Sequence, residues 1–357
     1  MELRNPMRRL PVRPMHLLLV FVPISLVAQA VHQETAVFVT SALAIVPLAA
    51  LLGEATEQLA IRLGPQRGGL LNATLGNLTE LIVGFFLIAA GDVAILKATL
   101  IGSIVGNLLL VLGLSFAAGG LRHKSMTFNP RTASIHASSL LLAVAGLVVP
   151  AMLVFGQTVG SDAREAVSIF VAIVLMSLYL AALAYTNITH AHLFHAPSRG
   201  ETAAWSSRFA VGVLAAAALL VGLEAELLVD SLHAAISALH IPTVFVGLIL
   251  IPVIGNAAEH ASAIFFALKN KLDITVEIAI GSSTQVAMFV APLLVFVSLV
   301  IAHPIDFVFT GFEIGIVALA TLIVTVTSQD GETNWLEGAQ LLGAYIIIAV
   351  TAFFIAA

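Results

Sequence analysis

Cysteine is absent from the 357-residue chain, which excludes disulfides and thiolate metal centres and leaves no redox compartment to be read. Charge is scarce as well. Asp, Glu, Lys and Arg make up 10% of the residues, against about 25% in soluble domains. Long polar stretches are missing too, and no connector between apolar runs is large enough to form a soluble domain. Neither His-Glu-x-x-His nor Gly-x-Ser-x-Gly occurs, which removes the signatures of metal-dependent and serine hydrolases. No enzymatic activity and no cofactor are expected. The net charge of −5 decides little, because in a membrane protein the placement of charge matters more than its sum.

What fills the chain is apolar. Hydrophobic residues reach 60% and mean hydropathy is +1.07, the composition of a polytopic membrane protein. The 26 glycines suit closely packed transmembrane helices. Apolar runs of bilayer-spanning length fall at about 15–31, 35–60, 68–90, 94–118, 132–154, 163–187, 207–230, 242–268, 274–301, 305–327 and 338–357. The basic start, apolar run and Ala28-Gln29-Ala30 resemble a signal peptide, but a first span with a basic cytoplasmic flank is the favoured reading. With the N-terminus inside, only Lys97 and Arg164 of the 15 Lys and Arg fall outside. The positive-inside rule is thus obeyed by the rest, including Arg4, Arg8, Arg9, Arg13 and Arg199. The C-terminus is then expected outside.

A repeat organises these spans. Gly-Asn-x-x-Glu occurs at Gly76-Asn77-x-x-Glu80 and again, 179 residues later, at Gly255-Asn256-x-x-Glu259. The same offset relates Gly102-Ser103 to Gly281-Ser282. The chain therefore reads as an all-α membrane protein of about eleven helices. One N-terminal helix (residues 1–34) precedes a five-helix repeat (35–188), a cytoplasmic connector (189–206) and a second five-helix repeat (207–357). Five is odd, so the repeats enter the membrane from opposite sides, as in many secondary transporters.

On a helix Gly76, Asn77 and Glu80 share one face, with Glu80 about midway along its span. A charge at that depth needs a partner or water. In the inverted repeat, Asn256 and Glu259 are expected to reach the same depth from the other side. Two carboxylates, two amide oxygens and nearby hydroxyls make a hard-oxygen site suited to Ca²⁺. Such a site is neutralised by a divalent cation or by protons but not readily by both, which is what an exchanger requires. Ser103, Ser282, Gln285 and Asn107 add oxygens on nearby turns, although each taken alone also fits packing between helices. Gly76 and Gly255 are expected to permit close backbone approach and local unwinding, and Pro252 to free carbonyls by removing a helix donor.

With "GNLTELIVG" and "GNAAEH" on the third and eighth spans, and "GSIVGNLLLVLG" and "GSSTQVAMFVAP" after them, the sequence resembles the calcium/proton exchanger family of the cation/calcium exchanger superfamily. The resemblance covers nearly the whole chain. It implies that Glu80 and Glu259 bind Ca²⁺ and protons in turn, with Asn77, Asn256, Ser282 and Gln285 in support. It also implies export of Ca²⁺ from the cytosol, across the cell (inner) membrane, driven by protons. Na⁺/Ca²⁺ exchange, or exchange of Na⁺, K⁺ or Mn²⁺ against protons on the same fold, remains the alternative. The partners expected are Ca²⁺, protons and the lipid bilayer, with no nucleic acid, and a homo-oligomer is permitted.

One departure concerns the connector. Family members often carry an acidic regulatory segment there, whereas this chain offers only Glu201 beside His190, His192 and His195. These histidines suit a solvated loop, a pH sensor or a transition-metal site. Glu54 and Glu57 on the second span and Glu224 and Glu226 on the seventh fit either a lined approach to the site or helix ends near headgroups. Glu277 and Glu313 are expected to be interfacial, and His260 to be a packing or access residue.

Overall fold

The computed structural model describes residues 14–152, 160–190, 203–301 and 303–355. Arg4, Arg8, Arg9, Arg13, His192, His195, Arg199 and Glu201 lie outside the described residues. The helices in chain order are α1 (Met15–Ala30), α2 (Glu34–Gly64), α3 (Arg67–Ala89), α4 (Val93–Arg122), α5 (Pro130–Met152), α6 (Ser161–Thr189) and α7 (Ser207–Asp230). They continue with α8 (Leu232–Leu239), α9 (Thr243–Gly255), α10 (Ala257–Leu268), α11 (Leu272–Val300), α12 (Gly311–Thr327) and α13 (Trp335–Phe354).

The chain is a multi-pass membrane protein. Of the eleven expected segments, eight are, among the described residues, helices long and apolar enough to cross a bilayer, and a ninth is the bent pair α9–α10. The other two, α1 and α12, are shorter apolar helices. Local chemistry sets several starts. The Ser206 hydroxyl accepts from Phe209 N–H at 3.2 Å to open α7. Thr310 and Glu313 form a capping box at α12, and the Asn334 side chain accepts from Leu336 and Glu337 N–H to open α13.

The helices divide into two compact units, residues 1–86 with 180–238 and residues 87–179 with 239–357. In the first, α1, α2 and α7 pack together. Their core joins Leu48, Leu52, Ala217 and Val221, flanked by Leu19 and Val22. At one end the backbone N–H groups of Ala204 and Trp205 donate to Gln58 Oε1 at 2.7 and 3.2 Å.

In the second unit α4 is the central helix. Its apolar window is 83% buried, against 22% for α13, which is why it reads as apolar all round. Phe116, Ile101, Ile104, Leu108 and Leu112 are fully buried along it. Its Gly102 lies so close to α9 that an added Cβ would collide with the Leu248 carbonyl. The segments after α4 and before α13 pair as two short antiparallel strands, β1 (Met126–Thr127) and β2 (Glu332–Thr333).

Candidate functional site

Pro252 shapes the approach to Glu259. It has no N–H to return to the Leu248 carbonyl, and its ring crowds that carbonyl. The preceding turn, Val246–Leu250, widens to a π-helical turn in which Ile251 N–H reaches back five residues to Val246 O. Four residues later α9 ends at Gly255, and the chain bends by 62° before α10. Asn256 sits in the bend with φ −101° and ψ 6°. Its carbonyl accepts from His260 N–H at 2.9 Å, the first bond of the new helix. Asn256 is thus the N-cap and Glu259 the third residue of α10, at the positive end of the helix dipole.

The first copy of the motif has a milder break, a turn within one span and without a bend beyond 40°. α3 is interrupted by a turn at Gly76–Asn77 and resumes at Leu78. The Asn77 carbonyl accepts from Leu81 N–H at 3.1 Å, so Glu80 is again third in its helix. The twice-used pentapeptide was expected to share one helix face, with local unwinding at its glycines. In the structure it is a helix break followed by a carboxylate in the first turn. Gly76 keeps helical angles, φ −58° and ψ −38°. Gly255 has nothing within 4 Å of where a Cβ would stand, so the close backbone approach expected there occurs instead at Gly102.

Asparagine is a strong N-cap, yet Asn256 makes no side-chain cap bond. Its Nδ2 donates instead to Ser103 Oγ on α4 at 3.4 Å, which keeps its amide oxygen clear of the helix N–H groups. One turn along α4, Asn107 Nδ2 donates to Ser282 Oγ on α11 at 3.2 Å. Ser282 in turn lies close enough to the Glu259 carboxyl to interact with it. Glu259 Oε2 is buried with no hydrogen-bond partner, the arrangement of an acceptor awaiting a cation or a proton. Asn77, Asn256, Ser103 and Ser282 are all buried, whereas Gln285 is partly exposed. π-helical turns begin at Gly106, beside Asn107, and flank Ser282–Gln285 at Glu277–Gly281 and Val286–Val290. Such widened turns often mark functional positions. Within the second unit the structure therefore joins Glu259, Ser282 and Asn107 in one chain of contacts, and Asn256 with Ser103 in another. Glu80, Asn77 and Gly76 belong to the first unit.

The remaining acids separate. Glu313 is a helix cap, its Oε2 accepting from Thr310 N and Oγ1 at 2.8 and 2.9 Å. Glu277 is paired at 2.8 Å with His136, a partner that nothing in the spacing announced. Glu57 and Glu226 are exposed, while Glu224 is fully buried rather than at a headgroup-facing helix end. His260 is buried with Nε2 unpartnered. His190 stacks on Tyr185 with ring centroids 4.0 Å apart. Among the described residues no three His, Cys, Asp or Glu side chains cluster as a preformed metal centre.

Relatives fit this geometry. A Ca²⁺/H⁺ antiporter of Aphanothece halophytica is 42% identical over 94% of this chain and 95% of its own length. A Ca²⁺/H⁺ antiporter of Synechocystis is 43% identical over 94% and 96%. The solved structure of native YfkE superposes with a TM-score of 0.84 at 38% identity, covering 96% of this chain and all of that one. The sodium/calcium exchanger protein model matches residues 34–187 and 209–354. The chain belongs to the sodium/calcium exchanger protein family.

Proposed function

We propose that the protein is a secondary active antiporter that exports Ca²⁺ from the cytosol in exchange for protons, with Glu80 and Glu259 as the groups that bind the two ions in turn. The observation that carries this reading is the twice-used helix break, which sets an asparagine at the N-cap and a carboxylate three residues on. Ionised, the glutamates attract a divalent cation. Ca²⁺ takes about six to eight oxygen ligands in irregular geometry, and the Asn77 and Asn256 amide oxygens and the Ser103 and Ser282 hydroxyls are the natural supplements. Gln285 and the backbone at Gly76 and Gly255 complete the candidate set. Protonated, the same carboxyls lose the charge that holds the cation. Exchange then follows from mass action, without catalysis or a resident cofactor.

The names of the relatives support Ca²⁺ and protons as the ions. The distribution of Lys and Arg supports a cytoplasmic N-terminus, an outside C-terminus and a place in the cell (inner) membrane. Ca²⁺ uptake into inside-out vesicles, with a pH gradient imposed and the cation varied, tests the reading. Uptake is expected to collapse when a protonophore dissipates the gradient. Uptake restored by a Na⁺ gradient alone would instead establish Na⁺ as the counter-ion.

A further inference from the structure

Helices α4 and α11 both carry the repeated Gly-Ser pair, but the turns that lead to it differ. At the 179-residue offset Glu277 of α11 corresponds to Ala98 of α4, and Asp273 to Ala94. Counted from Val93 and Leu272, Ala98 and Glu277 hold the same place in their helices. Ala98 is buried, and a Cβ added at Gly247 would stand 2.8 Å from its own Cβ. Glu277 instead leaves 54% of its side chain exposed.

A carboxyl inside a spanning helix needs a partner or water. The partner is His136 on α5, whose Nε2 lies 2.8 Å from Glu277 Oε2. The other oxygen, Oε1, sits over Gly281, 3.3 Å from where a Cβ there would stand. The glycine thus leaves the notch that the carboxylate occupies. The next residue is Ser282, in the chain of contacts that reaches Glu259 and Asn107. Toward the helix start, Asp273 is exposed one turn earlier on the same face, its Oδ1 accepting from Asn129 N–H at 2.7 Å. Asp273, Glu277 and Ser282 are therefore steps from the end of α11 to the site, spaced about 6 and 7.5 Å along the axis. The repeats are expected to be inverted, which sets the starts of α4 and α11 on opposite sides of the membrane. One approach then carries carboxylates on its helix face where the other carries alanines.

We propose that Glu277 is a capture site for a divalent cation arriving from the cytoplasmic side, before it reaches Glu259, with His136 occupying the carboxylate until the cation displaces it. The step belongs to one approach only, because the corresponding position of α4 is an alanine. The proposal rests on the exchange reading for which face is cytoplasmic and where the cation goes next.

Initial rates of Ca²⁺ uptake into inside-out vesicles, at fixed pH and over a range of Ca²⁺, test it through KM and the maximal rate per protein. Glu277→Gln removes the charge and is expected to raise KM about threefold, the scale of a half-exposed charge pair, with the maximal rate retained. His136→Leu removes the competitor and is expected to lower KM by about the same factor. The double variant is expected to match Glu277→Gln. A pair that only braces α5 against α11 would cost protein or maximal rate in both variants and leave KM in place. That result, or a KM moved the same way by both, overturns the proposal. If Glu277→Gln fails to fold, the direction of the His136→Leu shift decides alone. Should Na⁺ rather than protons drive uptake, the exchange reading falls, and the same KM comparison still decides the capture step.

Discussion

Glu259 and Glu80 are each placed third in a helix by a break one turn earlier, and their chemistry depends on the carboxyl rather than on its shape. Glu80→Gln or Glu259→Gln is expected to abolish exchange while protein still reaches the membrane, since removing a buried charge need not destabilise a fold. Flux assays paired with membrane quantification check this, and near-normal flux in either variant would sink the assignment. Ser282 links Glu259 to Asn107 and offers an oxygen to a bound cation. Ser282→Ala is expected to weaken Ca²⁺ binding about tenfold, the worth of one hydrogen bond or ligand at roughly 1–1.5 kcal/mol; equilibrium binding measures it. The candidate glutamates and asparagines stand out in the sequence because they occur twice at one offset. The buried place of Glu224 does not, because hydropathy places a residue along a helix but says nothing of the Ser25 hydroxyl that meets it from another. Glu313 illustrates a different limit. Thr310-x-x-Glu313 is a readable capping signature, yet position near a span end suggested an interfacial role.

Helix breaks and widened turns are the elements that set the site apart from ordinary spans. The breaks at Asn77 and Asn256 leave no mark in hydropathy, which continues straight through a turn, but the glycine before each was expected to allow local unwinding. Pro252 was the visible warning, and the π-helical turn before it is the local response. Where α4 crosses that turn, Gly102 leaves room for the Leu248 carbonyl, and an added Cβ would also stand 2.7 Å from Pro252 Cγ. Gly102→Val is therefore expected to cost several kcal/mol, more than the roughly 1–3 kcal/mol of ordinary overpacking, because backbone must move. Gly255→Ala, with open space around it, is expected to leave the melting temperature nearly unchanged. Thermal unfolding of the two purified variants compares them, and equal melting temperatures would contradict the packing described for α4.

Across the molecule, several segments expected on the same membrane face meet one another. Lys97 and Arg164, which depart from the positive-inside pattern, both approach Asp306, Arg164 at 3.9 Å and Lys97 in a direct ion pair. On the other face β1 pairs with β2, and Asn129 N–H donates to Asp273 at 2.7 Å. Asp306→Asn leaves two part-buried cations with a weakened partner. It is expected to lower stability by about 1–3 kcal/mol, read as a lower melting temperature. That the chain is a polytopic bundle of apolar helices was legible because hydropathy carries it. The grouping of helices into two units was not, because each unit draws on both repeats. Equilibrium Ca²⁺ binding to the purified protein across a range of pH tests most directly whether one pair of carboxyls serves both ions. Ca²⁺ binds the ionised pair and protons the neutral one, so affinity is expected to rise with pH and level off once both carboxyls are ionised. Below that range it falls by as much as ~100-fold per pH unit if two protons compete, in a single coupled curve that belongs to the pair. A Ca²⁺ affinity that stays flat from acid to alkaline pH would mean that protons do not compete at Glu80 and Glu259, and would contradict exchange at this site.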